Sequence, residues 1–399
     1  MKSINLYRHV SLHLKCFHFT GLWFFIDYPI SSIQFWLHIL IRFLNALFVF
    51  TLPTLGQIFY VKKLFAAEIF AIQEVASCIN IILAEVLVSF KALDMFIRRN
   101  TFIQLLEQLN NHEFQQIAHK DIIESAIKRS RRYFWVIMIA AFLNVIAHNV
   151  VVPAAEGFRN LPAKMDLVFV DIDDPAYFDI ICFFQLIYKP TMVLVYVGLQ
   201  SMPWSMLTFV MAQLDILIDN FENMEKLMIQ TKEKKGCSEA EAFKEVFNSL
   251  VTHHQAIIRF IDTANATFGG QFALYLMLSS GVICTTGVHF LAIENSSSKD
   301  FLGVIWLLAY LSTFIFIQFV DCSFGSSVYV KSTDLATVAY SSPWLKMPKE
   351  MRKQVLIVIA RAQRPLEISA FNLVPISLQT FTTVMNWTYK AFAIMNGMQ

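Results

Sequence analysis

Apolar residues run along this chain in long blocks, not in strict alternation. The first uncharged block is Phe43 to Val61, with Arg42 at its entry. Further blocks run from about Ala67 to Phe90, Tyr133 to Ala155, Ile180 to Leu214, Ala264 to Ile293 and Phe301 to Val320. A helix needs roughly 20 apolar residues to cross a bilayer, so each block is a candidate span. The fourth block is longer than that, although Lys189, Pro190 and Pro203 interrupt it. One of its ends is expected to project beyond the bilayer.

A seventh block, Ile368 to Met395, carries no charge between Ser369 and Tyr389. Here Gln379, Thr382, Thr383, Asn386 and Lys390 recur at helical spacing and share one face. Leu378, Phe381, Val384 and Met385 take the other. A spanning helix turns such a stripe toward protein or water, because lipid cannot satisfy it. Two readings stay open: polar contact with neighbouring helices, or the wall of a conduction path. The expected fold class is all-α, a polytopic membrane protein with seven transmembrane helices.

Composition agrees. Of 399 residues, 56% are hydrophobic and 16% charged, against about 25% charged in a soluble domain. The net charge of +2 is too balanced to suggest nucleic acid. Of the Lys and Arg residues, twenty-four fall in the N-terminal segment, the loop 91–132, the loop after the fourth span and the stretch 326–366. Only six fall in the alternate segments. The positive-inside rule then sets the N-terminus in the cytoplasm and the C-terminus outside. G-protein-coupled receptors have the opposite arrangement. No signal peptide is readable in Met1 to Pro29, so the first span is expected to act as its own targeting signal.

Chemistry-bearing motifs are few. Six scattered cysteines form no CxxC pair, which suggests neither a metal site nor a disulfide scaffold. No HExxH, GxSxG or phosphate loop occurs, so no enzyme and no cofactor are expected. No internal repeat of the transporter kind is visible. The outer segment 156–179 reads as a solvated acidic loop; Asp171, Asp173 and Asp174 lack the spacing of a calcium loop. Asn295 opens a glycosylation sequon, and Asn265 opens one that should be silent. The loop 215–262 reads as two helices continuing the fourth and fifth spans inward. His253 and His254 point about 100° apart on a helix, which favours packing over metal binding. Glu74 and Glu85 share a face of the second span. They are either functional acids or a pair neutralised by protonation or by a partner such as Lys189.

The C-terminal residues carry a resemblance. Tyr340-Ser-Ser-Pro-Trp344 is followed by Arg361-Ala-Gln-Arg-Pro365, then Pro375-Ile-Ser-Leu-Gln-Thr-Phe381, then Trp387-Thr-Tyr389. This ordered set resembles the C-terminal signature of insect odorant receptors. It departs from that signature at Thr388-Tyr389-Lys390, where Ser-Tyr-Phe is usual. The resemblance implies the odorant-binding subunit of a heteromeric, ligand-gated, non-selective cation channel. It implies a tetramer with an odorant receptor co-receptor, at the plasma membrane of a sensory neuron dendrite. The long insertion of the co-receptor between spans four and five is absent here. A ligand-binding bundle over 1–325, with cytoplasmic extensions over 213–263, is expected to precede an anchor and pore-lining seventh helix over 326–399. The implied pocket lies between spans two, three, four and six. Phe70 and Gln73, then Phe142, Val145 and His148, then Phe184, Tyr188 and Met192, then Trp306 and Tyr310 stand at those levels. Such a pocket suits a small, volatile, mostly apolar ligand. In the family, residues three and seven after the signature tyrosine narrow the pore. Here that gives Phe392 and Asn396, which with Tyr389 itself are the implied pore and gate residues. The alternatives are an insect gustatory-type receptor channel, a G-protein-coupled receptor or a transporter.

Overall fold

The computed structural model describes residues 6–22, 33–66, 72–114, 119–155, 161–167, 175–294, 301–346, 349–371 and 373–397. Phe70, Asp171, Asp173, Asp174 and Asn295 lie outside the described residues, as do the side chains of Gln73 and Asn396.

The described chain is nearly all helical. Helix α1 (Ser11–Phe19) precedes α2 (Ile33–Leu44), which passes through a π-helical stretch at Asn45–Thr51 into α3 (Leu52–Ala66). Then come α4 (Ile72–Ile97), α5 (Arg99–Gln108) and α6 (Lys120–Ile146). A second π-helical stretch, Ala147–Val151, joins α6 to the four-residue α7 (Val152–Ala155). The long helices α8 (Pro175–Glu222), α10 (Glu239–Glu294) and α11 (Phe301–Ser341) follow, with α9 (Met224–Lys235) between the first two. Helix α12 (Lys349–Ala362), strands β1 (Ser369–Ala370) and β2 (Val374–Pro375), and α13 (Leu378–Gly397) complete the order. The two strands pair antiparallel and are the one departure from an all-α chain among the described residues.

Among the described residues, six helices are long and apolar enough to cross a membrane. Their outer faces expose Phe43, Ile139, Leu143, Phe183 and Leu308, as a lipid-facing surface requires. Helix α13 is long enough, but its polar stripe keeps it out of that set. At 1.5 Å per residue α8 is about 72 Å long and α10 about 84 Å, more than twice a bilayer core. Both helices are therefore too long to lie wholly within a bilayer, and α8 runs through Pro190 and Pro203 unbroken.

The projecting parts pack on an aromatic core. Phe114 meets Phe209 edge-on with ring centroids 5.2 Å apart and Phe260 at 6.0 Å. His253 belongs to this core: its Nε2 lies 2.9 Å from Gln213 Oε1. His254 is buried separately, and no cluster among the described residues could hold a metal ion. Helix α1 docks against α8 and α6. Phe17 fills a notch at Gly198, where an added Cβ would lie 2.9 Å from its ring. The rings of His9 and His13 are buried against Phe209 and Phe134. Burial pulls His9 down to about 3, aided by Arg131, and His13 down to about 4.

Three expectations change. Lys91 is not in a loop: α4 continues past it, and its side chain is buried inside the bundle. The outer segment 161–167 is not simply solvated, since Leu161, Ala163 and Met165 are buried. Gln185 holds it by bonding both the N–H and the C=O of Ala163 at 2.8 Å. The seventh helix starts at Leu378, not Ile368, because the strand pair and Pro375 occupy the approach. That strand pair lies against Gly269 of α10, where a Cβ would be 3.1 Å from Ser369 O. Asn265 fixes it, donating to Glu367 O at 2.8 Å and accepting from Ser369 N–H at 3.1 Å. Phe371 turns the strands at φ 51°.

Candidate functional site: an apolar cavity

Four helices present one face each to a cavity of about 170 Å³. Helix α4 gives Ile81, Ala84, Glu85 and Val88; α6 and its π-helical extension give Ala141, Asn144, Val145 and His148. Helix α8 gives Lys189, Met192, Val193 and Tyr196; α11 gives Trp306, Tyr310, Thr313 and Phe314. In every case the spacing is three or four residues, so one stripe of each helix lines the wall. An apolar cavity of roughly 150 Å³ accommodates a benzene ring. The site therefore has room for a small molecule and none for a peptide.

Aromatic rings dominate one wall. His148 lies 4.7 Å from the Trp306 ring, Trp306 stacks on Tyr310 at 5.4 Å and 27°, and Tyr310 meets Phe314 at 5.0 Å. The polar side chains bond mainly to protein. Lys189 Nζ donates to Asn149 Oδ1 at 2.6 Å and lies 3.1 Å from His148 Nδ1. Glu85 accepts from Thr54 and Gln57 of α3 at 2.9 Å and from Tyr188 at 3.2 Å. Asn144 Nδ2 donates to Thr313 Oγ1 at 3.2 Å. What remains for a ligand is an apolar surface with few polar contacts. Such a site cannot desolvate a phosphate or a sugar, but it can take a compact apolar molecule. Glu74, a second acid of α4, is not among the residues lining the cavity and pairs with Lys164 at 2.6 Å.

Of the expected ligand residues, Val145, His148, Met192, Trp306 and Tyr310 line this cavity. Tyr188 stands behind the wall, reaching Glu85, and Phe184 lies 5.0 Å from the Tyr188 ring. Phe142 is partly buried against the core. Sequence reasoning did not place Asn144, Tyr196 and Thr313 here. Their helical spacing from Val145, Met192 and Tyr310 was the available signal.

The C-terminal half of α13 packs on α10 and α11. Met385, Thr388, Tyr389 and Phe392 border a crevice of about 350 Å³ with Ile283, Gly287, Phe290 and Leu307. Phe392 is the packed residue and Tyr389 is 70% exposed. The polar stripe of Gln379, Thr382, Thr383, Asn386 and Lys390 is the exposed face of this helix.

A multi-pass helical membrane protein with a small apolar cavity between its helices is thus the class that fold and site define. The family described as 7tm Odorant receptor matches residues 71–389, and the chain belongs to it. Odorant receptor 46a, isoform B, of Drosophila melanogaster is 22% identical over 364 residues, covering 89% of this chain and 91% of that protein. Odorant receptor 49a of the same species is 34% identical over 148 residues, 37% of this chain and 36% of that one. Odorant receptor 10 of Aedes albopictus is 26% identical over 246 residues, 61% of this chain and 62% of its own length. The matched segments thus span about a third and under two thirds of these last two relatives. The fold is also that of the insect olfactory receptor OR5 from Machilis hrabei, solved in complex with eugenol. The TM-score is 0.82 at 14% identity, over 99% of both chains.

Proposed function

We propose that this chain is the odorant-binding subunit of a ligand-gated, non-selective cation channel. The observation that carries the reading is the cavity between α4, α6, α8 and α11, apolar and of small-molecule size. A soluble metabolite gains nothing in such a site, whereas a volatile apolar molecule loses its water shell and gains aromatic contact. His148, Trp306 and Tyr310 offer the ring surface, and Val145 and Met192 the aliphatic one. Phe142, Phe184 and Tyr188 act from behind the wall, and Phe70 and Gln73 belong to the same proposed ligand-binding set.

On this reading the N-terminus is cytoplasmic and the C-terminus extracellular, supported by the skew of Lys and Arg. Moving Lys91 from the loop into the bundle leaves that skew intact. Helix α13 is the seventh span and lines a central pore, with 1–325 as ligand-binding bundle and 326–399 as anchor and pore helix. The channel is a hetero-oligomer, a tetramer with an odorant receptor co-receptor, in the plasma membrane of a sensory neuron dendrite. Tyr389, Phe392 and Asn396 stand at the outer part of the pore helix. The packing of Phe392 on α10 supports a role in setting the position of α13, while the exposed polar stripe offers the surface toward water or a neighbouring subunit.

Expression of this chain with and without a co-receptor tests the proposal. Odorant-evoked cation current is expected only in the pair. Robust current from the chain alone would contradict the odorant-binding-subunit reading.

A further inference from the structure

One turn beyond the cavity, three helices meet in a buried polar bridge. Lys91 of α4 donates its ammonium to Gln200 Oε1 of α8. The amide nitrogen of Gln200 donates to both carboxylate oxygens of Asp321 on α11, at 3.1 Å each. The indole N–H of Trp204, one turn further along α8, also donates to Asp321. Below the ammonium lies the ring of Tyr275 from α10, at 4.7 Å. Lys91, Gln200, Trp204, Tyr275 and Asp321 are all 3% exposed or less.

The position of this bridge is specific. Val88 and Tyr196 line the cavity, and Lys91 and Gln200 follow them by one helical turn. The Lys91 Nζ is 6.0 Å from the Tyr196 ring centroid. On α11, Phe314 lines the cavity, and its carbonyl accepts from Tyr275 OH at 3.2 Å. Just past Asp321, α11 holds the base of α13. Ser326 Oγ accepts from Leu378 N–H at 2.9 Å, and the Phe319 and Phe381 rings meet at 5.6 Å. At Gly325 a Cβ would lie 1.9 Å from Ile376 O, so α11 and the approach to α13 are in direct contact. One rigid helix therefore carries the cavity wall, the buried carboxylate and the α13 joint.

We infer that the Lys91–Gln200–Asp321 bridge is a positioning element that couples occupancy of the cavity to the base of α13. This rests on the channel reading above. A buried charge pair is not needed for stability: apolar replacement of both partners is often neutral or stabilising, whereas removal of one is strongly harmful. Charges inside a span are functional candidates by default. Physically, the bridge permits few arrangements of α4, α8 and α11. Sliding of α11 against α8 either keeps the Gln200 amide between the two charges or strands them. That makes a discrete, two-state joint of the kind that transmits binding.

The test uses the full chain co-expressed with a co-receptor, with surface amount matched. The probe is the most potent member of a panel of volatile alcohols, esters and aldehydes. Wild type must first give odorant-evoked current; its absence would defeat the channel reading and not this inference alone. The variants are Lys91→Arg, the double Lys91→Met/Asp321→Leu, and Trp204→Phe. Residues along a coupling route shift coupling by roughly 2- to 30-fold. The double variant is expected to reach the surface yet shift half-maximal concentration or ligand-independent current within that range, while Lys91→Arg stays near wild type. A double variant with wild-type dose response and basal current makes the bridge structural only and overturns the inference. If the double variant does not reach the surface, Trp204→Phe decides: it keeps an aromatic ring there and both charges but removes one bond to Asp321. A shift of basal current or potency supports the coupling role, and an unchanged Trp204→Phe overturns it.

Discussion

Phe392 lies so close to Gly287 that a β-carbon at residue 287 would stand 2.8 Å from its Cδ2. The contact pins the outer end of α13 to α10 through a ring and a missing side chain. Gly287→Val should force that ring outward, since real β-carbons essentially never approach within 3.0 Å. On the proposed reading the expected outcome is a raised ligand-independent current per surface channel. Phe392→Ala should act in the same direction by releasing the contact. Basal current unchanged in both would remove the outer end of α13 from control of the closed state.

Trp306 is the ring with most to lose in the cavity, lying between His148 and Tyr310. Trp306→Ala should weaken ligand by about 1–3 kcal/mol through lost aromatic contact, read as a rise in half-maximal concentration across an odorant panel. Tyr188 reaches the site only through Glu85. Tyr188→Phe should therefore shift potency less than Trp306→Ala. The reverse order would move the binding surface toward α8.

Two buried rings, His9 just before α1 and His13 within it, give a pH dependence. His9 and His13 are held neutral, lowered from 6.5 to about 3 and about 4 by burial. Each folded value lies below the unfolded one. The stability they contribute is therefore complete above about pH 6.5 and is lost as pH falls toward the folded values. At about pH 5 each ring should cost up to roughly 2 kcal/mol. Melting of the purified chain in detergent at neutral and acid pH measures it. The double variant His9→Phe/His13→Phe should flatten the acid slope; an unchanged slope would assign it to other groups.

Much of this was legible in the chain. The apolar blocks marked six helices because nothing but a bilayer or a large core hides so many consecutive apolar residues. Val145 and His148, Met192, and Trp306 and Tyr310 could be placed at one level from span boundaries and the resemblance. Lys91 was misread because it stands at the edge of an apolar block, and only tertiary partners on α8 and α11 reveal that it is inside. Segment 161–167 was misread because the acids near it suggested water, while its burial depends on Gln185 and Gly56, distant in sequence. The start of α13 was misread because hydrophobicity does not report a two-residue strand pair. Phe392 could be placed on its helix, but nothing local shows that residue 287 leaves space for it.

Topology is open to a direct check. Tags at residue 1 and residue 399 should stain only after permeabilisation and on intact cells, respectively. An N-terminal tag visible on intact cells would contradict the proposed arrangement.

The central claim is that ligand entering the apolar cavity opens a pore formed with this chain. Outside-out patches from cells co-expressing the chain and a co-receptor, with GTP omitted from the pipette solution that bathes the cytoplasmic face, test it most directly. An odorant that activates intact cells should open cation-permeable channels in the patch, with similar passage of sodium and potassium, and Trp306→Ala should shift its potency. Current that appears only when GTP is supplied, or that keeps its potency in Trp306→Ala and Tyr310→Ala alike, would contradict it.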